Sequence, residues 1–558
     1  LEEACPLREP GGDVGGHRIE PVDRPVGHER LERLGDGVDL GGRAVEVAVV
    51  HEHDPLIRAP PEEPVDRVAR AQGSEGRGAE RDHGVPRAWE THEHERSDER
   101  GEHGERGPRA RTASGEPGDP ADPRGWRASR RGPALEPAAH VGREEQDGDR
   151  GEHLADRAER HSPVLRTHDR RGERIDEVDF DPAYHQLMTV AVGAGLTAEP
   201  WTAPAGSGAH LRRAIGFHVW SQAEAGHLCP ISMTYAAVPA LRSTPALAEV
   251  VVPKLASRVY EARLAPLAAK SGATMGMGMT EKQGGSDVRA NATVAVPDGD
   301  GWRLTGHKWF FSAPMSDAFL VLAQTTAGVG CFYVPRVLAD GTRNPLALQR
   351  LKDKLGNRAN ASSEVEFDGT RAELVGEEGR GIRTIIDMVA STRLDCILGS
   401  SATMRQALVR ALWHASHRSA FGAKLVDQPL MRNVLADLAL ESEAATLLGM
   451  RLAAAVDDGD TEFTRLGVAL GKFWVCKRTP IMVAEALECL GGNGYVEENG
   501  LARLYRDAPL NSIWEGSGNV NALDVVRALT REPASIAAVG KELAMARGHS
   551  TTLDEAID

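Results

Sequence analysis

The chain has 558 residues, 41% hydrophobic and 27% charged, with a formal charge of -16 and a pI near 5.7. That balance suits a soluble globular protein of several domains and excludes a generally basic nucleic-acid binder. No apolar run reaches the ~18 residues that a membrane helix needs. Leu1 to Asp13 lacks the basic-then-apolar order of a secretory signal, so a cytoplasmic protein is expected.

Residues 1–150 stand apart. They contain no Lys, Asn, Met, Phe or Tyr, and they carry 34 acidic residues against 23 Arg. Two readings fit. One is a low-complexity, disordered tail with too little apolar surface to offset chain entropy. The other is a stretch that is not natively coded, because all five missing residue types have A/T-rich codons. Scattered histidines such as His92 and His94 match no zinc spacing, and no metal is expected. The six cysteines are widely spaced without a C-x-x-C, which points to reduced, buried thiols.

From residue 151 the elements can be taken in order. Residues 151–270 read as an incomplete N-terminal helical domain. Leu211, Ile215, Val219 and Ala223 recur every four residues as one apolar stripe, helix extends over 209–269, and Pro253 breaks the apolar stretch from Leu247 to Leu255. Residues 271–378 read as a β domain of short strands, at Trp302–Thr305, Ala318–Gln324, Val329–Val334 and Ser363–Phe367, separated by Gly and Asp. Residues 379–535 read as a helical bundle with long helices at Ile382–Ser416, Pro429–Val456 and Phe463–Leu490, and 536–558 as a tail.

Five motifs carry chemistry. Met277, Gly278, Met279 and Thr280 lead into Gly284, Gly285, Ser286 and Asp287, a loop whose glycines admit close backbone approach and whose hydroxyls can bind a ligand. Trp309, Phe310, Phe311 and Ser312 follow His307 and Lys308, and such a run of aromatics can wall a flat cofactor. Arg418 and Phe421 follow a long helix, where the arginine suits a phosphate. Glu488, Gly491 and Gly492 form a glycine-rich helix end. Glu515 stands between Trp514 and Gly516, followed by Ser517 and Asn519; a carboxylate in an apolar cleft can act as a base. Each motif alone also reads as an ordinary surface loop, core cluster or cap.

In this order the motifs resemble the flavin-dependent acyl-CoA dehydrogenases, over residues 160–535, and within them the branch of the adaptive-response protein AidB. The strings Gly278–Asp287, Gly306–Ser312, Arg350–Arg358 and Asn511–Asn519 carry the likeness. The resemblance implies a mainly α fold with a central β domain: an N-terminal helical domain, a middle β-barrel or sandwich domain and a C-terminal four-helix bundle. It also implies FAD, in a homotetramer. Thr280 and Ser286 would contact the flavin and its neighbourhood, and Phe310 to Ser312 would line its ring. Most of the family has Thr where Phe311 stands, which leaves Ser312 to supply that hydrogen bond. Arg418 and Phe421 would reach FAD on a neighbouring subunit, and Glu488, Gly491 and Gly492 its adenine end. Ser286 and Arg393 would bind an acyl-CoA thioester, and Glu515 would be the base. Some members carry the base on an earlier helix, at a position that matches Thr392, which cannot serve. The alternative reading is an AidB-like protein that protects DNA during alkylation stress. The helical extension associated with DNA binding is expected to be largely missing, since the chain stops at Asp558.

Overall fold

The computed structural model describes residues 144–558, with side chains from 151 onward, so the expectations for the first 143 residues lie outside the described part. Helix α1 spans Glu144–Arg160. A β-hairpin follows, β1 (Val164–His168) and β2 (Arg174–Asp179), and then come helices α2 (Pro182–Gly193), α3 (Glu199–Thr202), α4 (Ala209–Ser221), α5 (Leu228–Leu241) and α6 (Pro245–Leu255).

The hairpin is an addition to the helical domain read for this region. Its strands are short and rich in charge, so no apolar alternation announces them. Tertiary contacts hold it instead. Arg174 Nη2 donates to the Leu348 carbonyl at 3.0 Å, and Asp176 Oδ1 accepts the Leu348 N–H at 3.1 Å.

Two further expectations change here. Helix ends at Leu255 rather than near 269, and Pro253 sits within the last turn of α6 rather than breaking it. The stripe read on α4 also faces the wrong way. Ile215 and Val219 are 47% and 58% exposed, whereas Ala214 and Phe217 are buried. The buried face is centred on Arg213, which is bidentate to Asp395 of the bundle at 2% and 3% side-chain exposure. A charged residue thus occupies the inward face, which a search for apolar periodicity cannot find.

The β domain holds β3 (Met275–Gly278), β4 (Val294–Asp298), β5 (Gly301–Ser312), β6 (Ala318–Thr325), β7 (Gly328–Pro335), β8 (Leu346–Leu351) and β9 (Ser362–Val375). The strands run in the order β3-β6-β4-β5-β9-β7, β8 pairs with β9, and a β6–β7 pairing closes the sheet. Leu304, Phe311, Phe319, Phe332, Val365 and Phe367 fill its interior. Strand β6 is buried on both faces, because α5 and α6 cover its outer side through Tyr235, Leu241 and Val251.

Beyond it lie α7 (Gly381–His417), the two-residue strands β10 (Ser419–Ala420) and β11 (Ala423–Lys424), α8 (Pro429–Asp457), α9 (Thr461–Cys489), α10 (Leu501–Asp507), α11 (Gly518–Arg531), α12 (Pro533–Ala544) and α13 (Thr551–Ile557). The three long helices match their expected bounds, and Leu398, Leu452, Val475 and Val483 pack between them. The expected tail is helical as well: α12 lies on the bundle, and Glu542 binds Arg451 at 2.6 and 2.8 Å. No helix among the described residues is long and apolar enough to cross a membrane.

Candidate active site

The loop after β3 is built around a residue that sequence reading passed over. Glu281 is fully buried. It accepts the N–H groups of Ala292 and Thr293 at 2.6 and 3.2 Å and the ammonium of Lys308 at 2.6 Å. Burial alone would raise its pKa, but the Lys308 hydrogen bond and charge outweigh that and hold it at about 2. Gly284 takes φ 135°, and a Cβ on Gly285 would lie 2.4 Å from Thr280 Oγ1. The two glycines therefore let the loop fold back on Thr280. Met277, Met279 and Thr280 are half-buried and Ser286 is exposed.

Strand β5 carries Trp309 to Ser312 past the same place. Its pairing with β9 shifts register between Lys308 and Phe311. Phe311 consequently turns into the barrel, fully buried, with its ring centroid 4.3 Å from that of Phe319. It cannot line a flavin as expected, because alternation across a strand puts it opposite Phe310 and Ser312. Phe310 is 52% exposed, and the Lys352 ammonium stands 3.4 Å from the Trp309 ring centroid. Ser312 Oγ lies 3.3 Å from Ser362 Oγ, beside the buried Cys229 thiol.

The bundle supplies the other wall. Glu515 has φ 58° and Gly516 φ 96°, both left-handed. The Thr392 hydroxyl donates to Glu515 Oε2 at 2.6 Å, so the residue that cannot be the base holds the one that can. Burial raises the Glu515 pKa, while that hydrogen bond and the charges of Lys472 and Arg393 pull it back. Burial pushes the Cys229 thiol up to about 12. Lys354 opposes this, and the Glu515 carboxylate adds to it, which brings Cys229, Ser312 and Glu515 into one neighbourhood.

Arg393 departs from its expected role. Its Nε donates to the Glu515 carbonyl at 2.9 Å, and its Nη1 binds Asp524 at 3.0 Å. It holds the Glu515 loop instead of standing free for a substrate. Ser517 stands at the N-cap position of α11 without a side-chain capping bond, and Asn519 is exposed in its first turn. Arg418, Glu488, Gly491 and Gly492 are exposed on the bundle surface, and Phe421 is 99% exposed with φ 53°. These five are not gathered at Glu515 within one chain.

Taken together, the seam has an apolar wall of Met277, Met279 and Trp514, the Gly285 cradle against Thr280, and the outward hydroxyl of Ser312. The Asn360 amide is buried beside the Cys229 thiol, and neither of its polar atoms has a nitrogen or oxygen partner. A flat cofactor with a polar edge fits that donor set.

Three family models match between residues 127 and 530. They are the adaptive response protein AidB N-terminal domain at residues 127–262, the acyl-CoA dehydrogenase middle domain at 276–370 and the acyl-CoA dehydrogenase C-terminal domain at 379–530. AidB of Escherichia coli K12 is 49% identical over 401 residues, covering 71% of this chain and 74% of that protein. Acyl-CoA dehydrogenase family member 11 of Caenorhabditis elegans is 32% identical, covering 72% and 68%. The solved structure of Caenorhabditis elegans ACDH-11 in complex with C11-CoA superimposes with TM-score 0.68 at 30% identity, covering 74% of this chain and 73% of that one. Butyryl-CoA dehydrogenase from Megasphaera elsdenii, at 20% identity and TM-score 0.58, covers 69% and 96% and shares the fold. The chain therefore belongs to the acyl-CoA dehydrogenase family of oxidoreductases and resembles AidB within it.

Proposed function

We propose that the protein is an FAD-dependent dehydrogenase that introduces an α,β double bond into an acyl-CoA thioester, with Glu515 as the base. One observation carries this reading: a single carboxylate enclosed where the β domain meets the bundle, held by Thr392 and raised in pKa by burial. A relative of the same fold has been solved with C11-CoA, which supports a thioester as the substrate class.

Bound FAD would supply the two-electron acceptor for the hydride leaving the β-carbon. Thr280 and Ser312 would hold it through their hydroxyls, and Met277, Met279 and Trp514 would keep water from its ring. Glu515 Oε takes the α-proton, and its raised pKa brings it closer to the operating range. The Glu515 N–H would donate to the thioester oxygen, where negative charge gathers as the proton leaves. Arg418 and Phe421 would complete the FAD site of a neighbouring subunit, with Glu488, Gly491 and Gly492 at the adenine end, in a homotetramer.

The test is an anaerobic titration of the flavin-loaded protein with acyl-CoAs of graded length. Bleaching of the flavin band by one class is expected, and Glu515→Gln should keep FAD while abolishing the bleaching. Full reduction by that variant would remove Glu515 from the mechanism. A flavin band that no acyl-CoA bleaches, on a protein retained by DNA in a salt-dependent way, would favour the DNA-protecting alternative.

A further inference from the structure

The loop holding Glu515 is gripped by three consecutive carbonyl oxygens. Lys472 Nζ, from α9, donates to the Trp514 carbonyl at 2.8 Å and to the Gly516 carbonyl at 2.6 Å. Arg393 Nε, from α7, donates to the Glu515 carbonyl between them at 2.9 Å, and Asn521 Nδ2, from α11, adds a bond to the Gly516 carbonyl at 2.7 Å. Lys472 is 1% exposed, and both recorded partners of its ammonium are carbonyls rather than carboxylates.

Neither feature is favourable by itself. A buried ammonium held only by carbonyls loses its hydration, and a left-handed glutamate is strained. Each accounts for the other. The carbonyls of this left-handed stretch, with positive φ at Glu515 and Gly516, all turn inward, where Lys472 and Arg393 receive them. Arg393 is paired with Asp524, but that carboxylate also binds Arg465 at 2.9 Å and lies 3.5 Å from Arg527. Positive charge behind the loop therefore comes from both Lys472 and Arg393.

We propose that Lys472 and Arg393 are positioning residues for the base: by holding the carbonyls of residues 514–516 from inside the bundle, they fix Glu515 in its left-handed conformation and keep a cation behind its carboxylate. The proposal rests on Glu515 being the base. The polar groups that face Glu515 are Thr392, Arg393 and Cys396 on α7, Lys472 on α9 and Cys229 on α5, with Asp524 of α11 acting through Arg393. Of these, Lys472 and Arg393 lower the Glu515 pKa by charge.

The experiment uses the flavin-loaded full chain with Lys472→Met. The Glu515 carboxyl is titrated by infrared difference spectroscopy, its band assigned against Glu515→Gln, and the acid limb of flavin reduction is recorded in parallel. Both should move to higher pH by about one unit or more, because removing a nearby cation disfavours the carboxylate. A merely structural role would lower the melting temperature and leave both titrations where they were, and that result overturns the proposal. Where Lys472→Met does not fold, Arg393→Met at its partly exposed position tests the same grip. It should shift the limb upward too, since it frees the Asp524 charge, and an unmoved limb sinks the idea. Full reduction by Glu515→Gln would instead refute the base assignment, so the two failures are distinguishable.

Discussion

Two buried lysines anchor the two loops of this site, and they do so differently. In the β domain, Lys308 is paired with Glu281 and both side chains are fully buried. In the bundle, Lys472 is bound to backbone carbonyls. The first arrangement is neutral and complete: carboxylate, ammonium and two loop amides satisfy one another. The second leaves a cation whose nearby counter-charge is Glu515 itself. A closed pair fixes a loop and adds little field, whereas an open cation fixes a loop and also biases the carboxylate it presents.

The predictions separate these roles. Glu515→Gln has the largest expected effect, complete loss of flavin reduction with FAD retained, read from the anaerobic spectrum. Lys308→Met comes next and breaks a buried pair. Unfolding by denaturant at pH 7 should show a loss of about 3–5 kcal/mol, with the acid limb of flavin reduction unmoved. The sign with pH follows from Glu281. Its folded pKa of about 2 lies below its ordinary value of 4.5, so its contribution is present above pH 4.5 and is lost as pH falls toward 2. The penalty of Lys308→Met should shrink over that window. A limb that moved with Lys308→Met as far as with Lys472→Met would erase the contrast between the two lysines.

A smaller effect is expected at the seam between α1 and the loop before β9. Glu159 accepts the N–H groups of Arg358 and Ala359 at 3.1 and 3.0 Å, and Asp507 accepts that of Asn357 at 2.6 Å. Burial, then the charge of Asp507, raises Glu159 to about 8, and burial raises Asp507 to about 6. A carboxyl raised on folding stabilises fully below its unfolded value and loses that contribution as pH climbs through the folded one. Melting temperatures of Glu159→Gln should therefore fall less steeply than wild type between pH 4.5 and 8; an unchanged slope would mean that Glu159 is not the group titrating there. Phe421→Ala should have the smallest effect on the single chain, within about 0.5 kcal/mol, because the ring is 99% exposed. Loss of FAD on dilution of that variant would show that the ring serves a neighbour; undiminished FAD retention would argue against it.

Much of the fold was legible in the chain. The bounds of the three long helices and the places of β5, β6, β7 and β9 follow from local periodicity, whereas β3, β4 and β8 do not, and the glycines at 284 and 285 mark a loop that folds back on itself. Phe311 was misread because a register shift in β5 changes which residues share a face, and a run of three aromatics hides such a shift. The α4 stripe was misread because the inward face is built on Arg213, whose partner Asp395 lies 182 residues away. Arg393 looked like a substrate residue from its motif position, yet its hydrogen-bond partners stand 122 and 131 residues further on.

By itself, then, the sequence determined the order of helical region, barrel and bundle, while the carboxylate at their junction was singled out only through the family resemblance of its motif. The order is encoded in periods of two and 3.6. Only the tertiary structure decided which charges are buried, what each is paired with and how the Glu515 loop is held. Pairing energies such as those of Lys308 and Lys472 arise between elements distant in the chain, once water has been removed from around them, and no local pattern of residues records that.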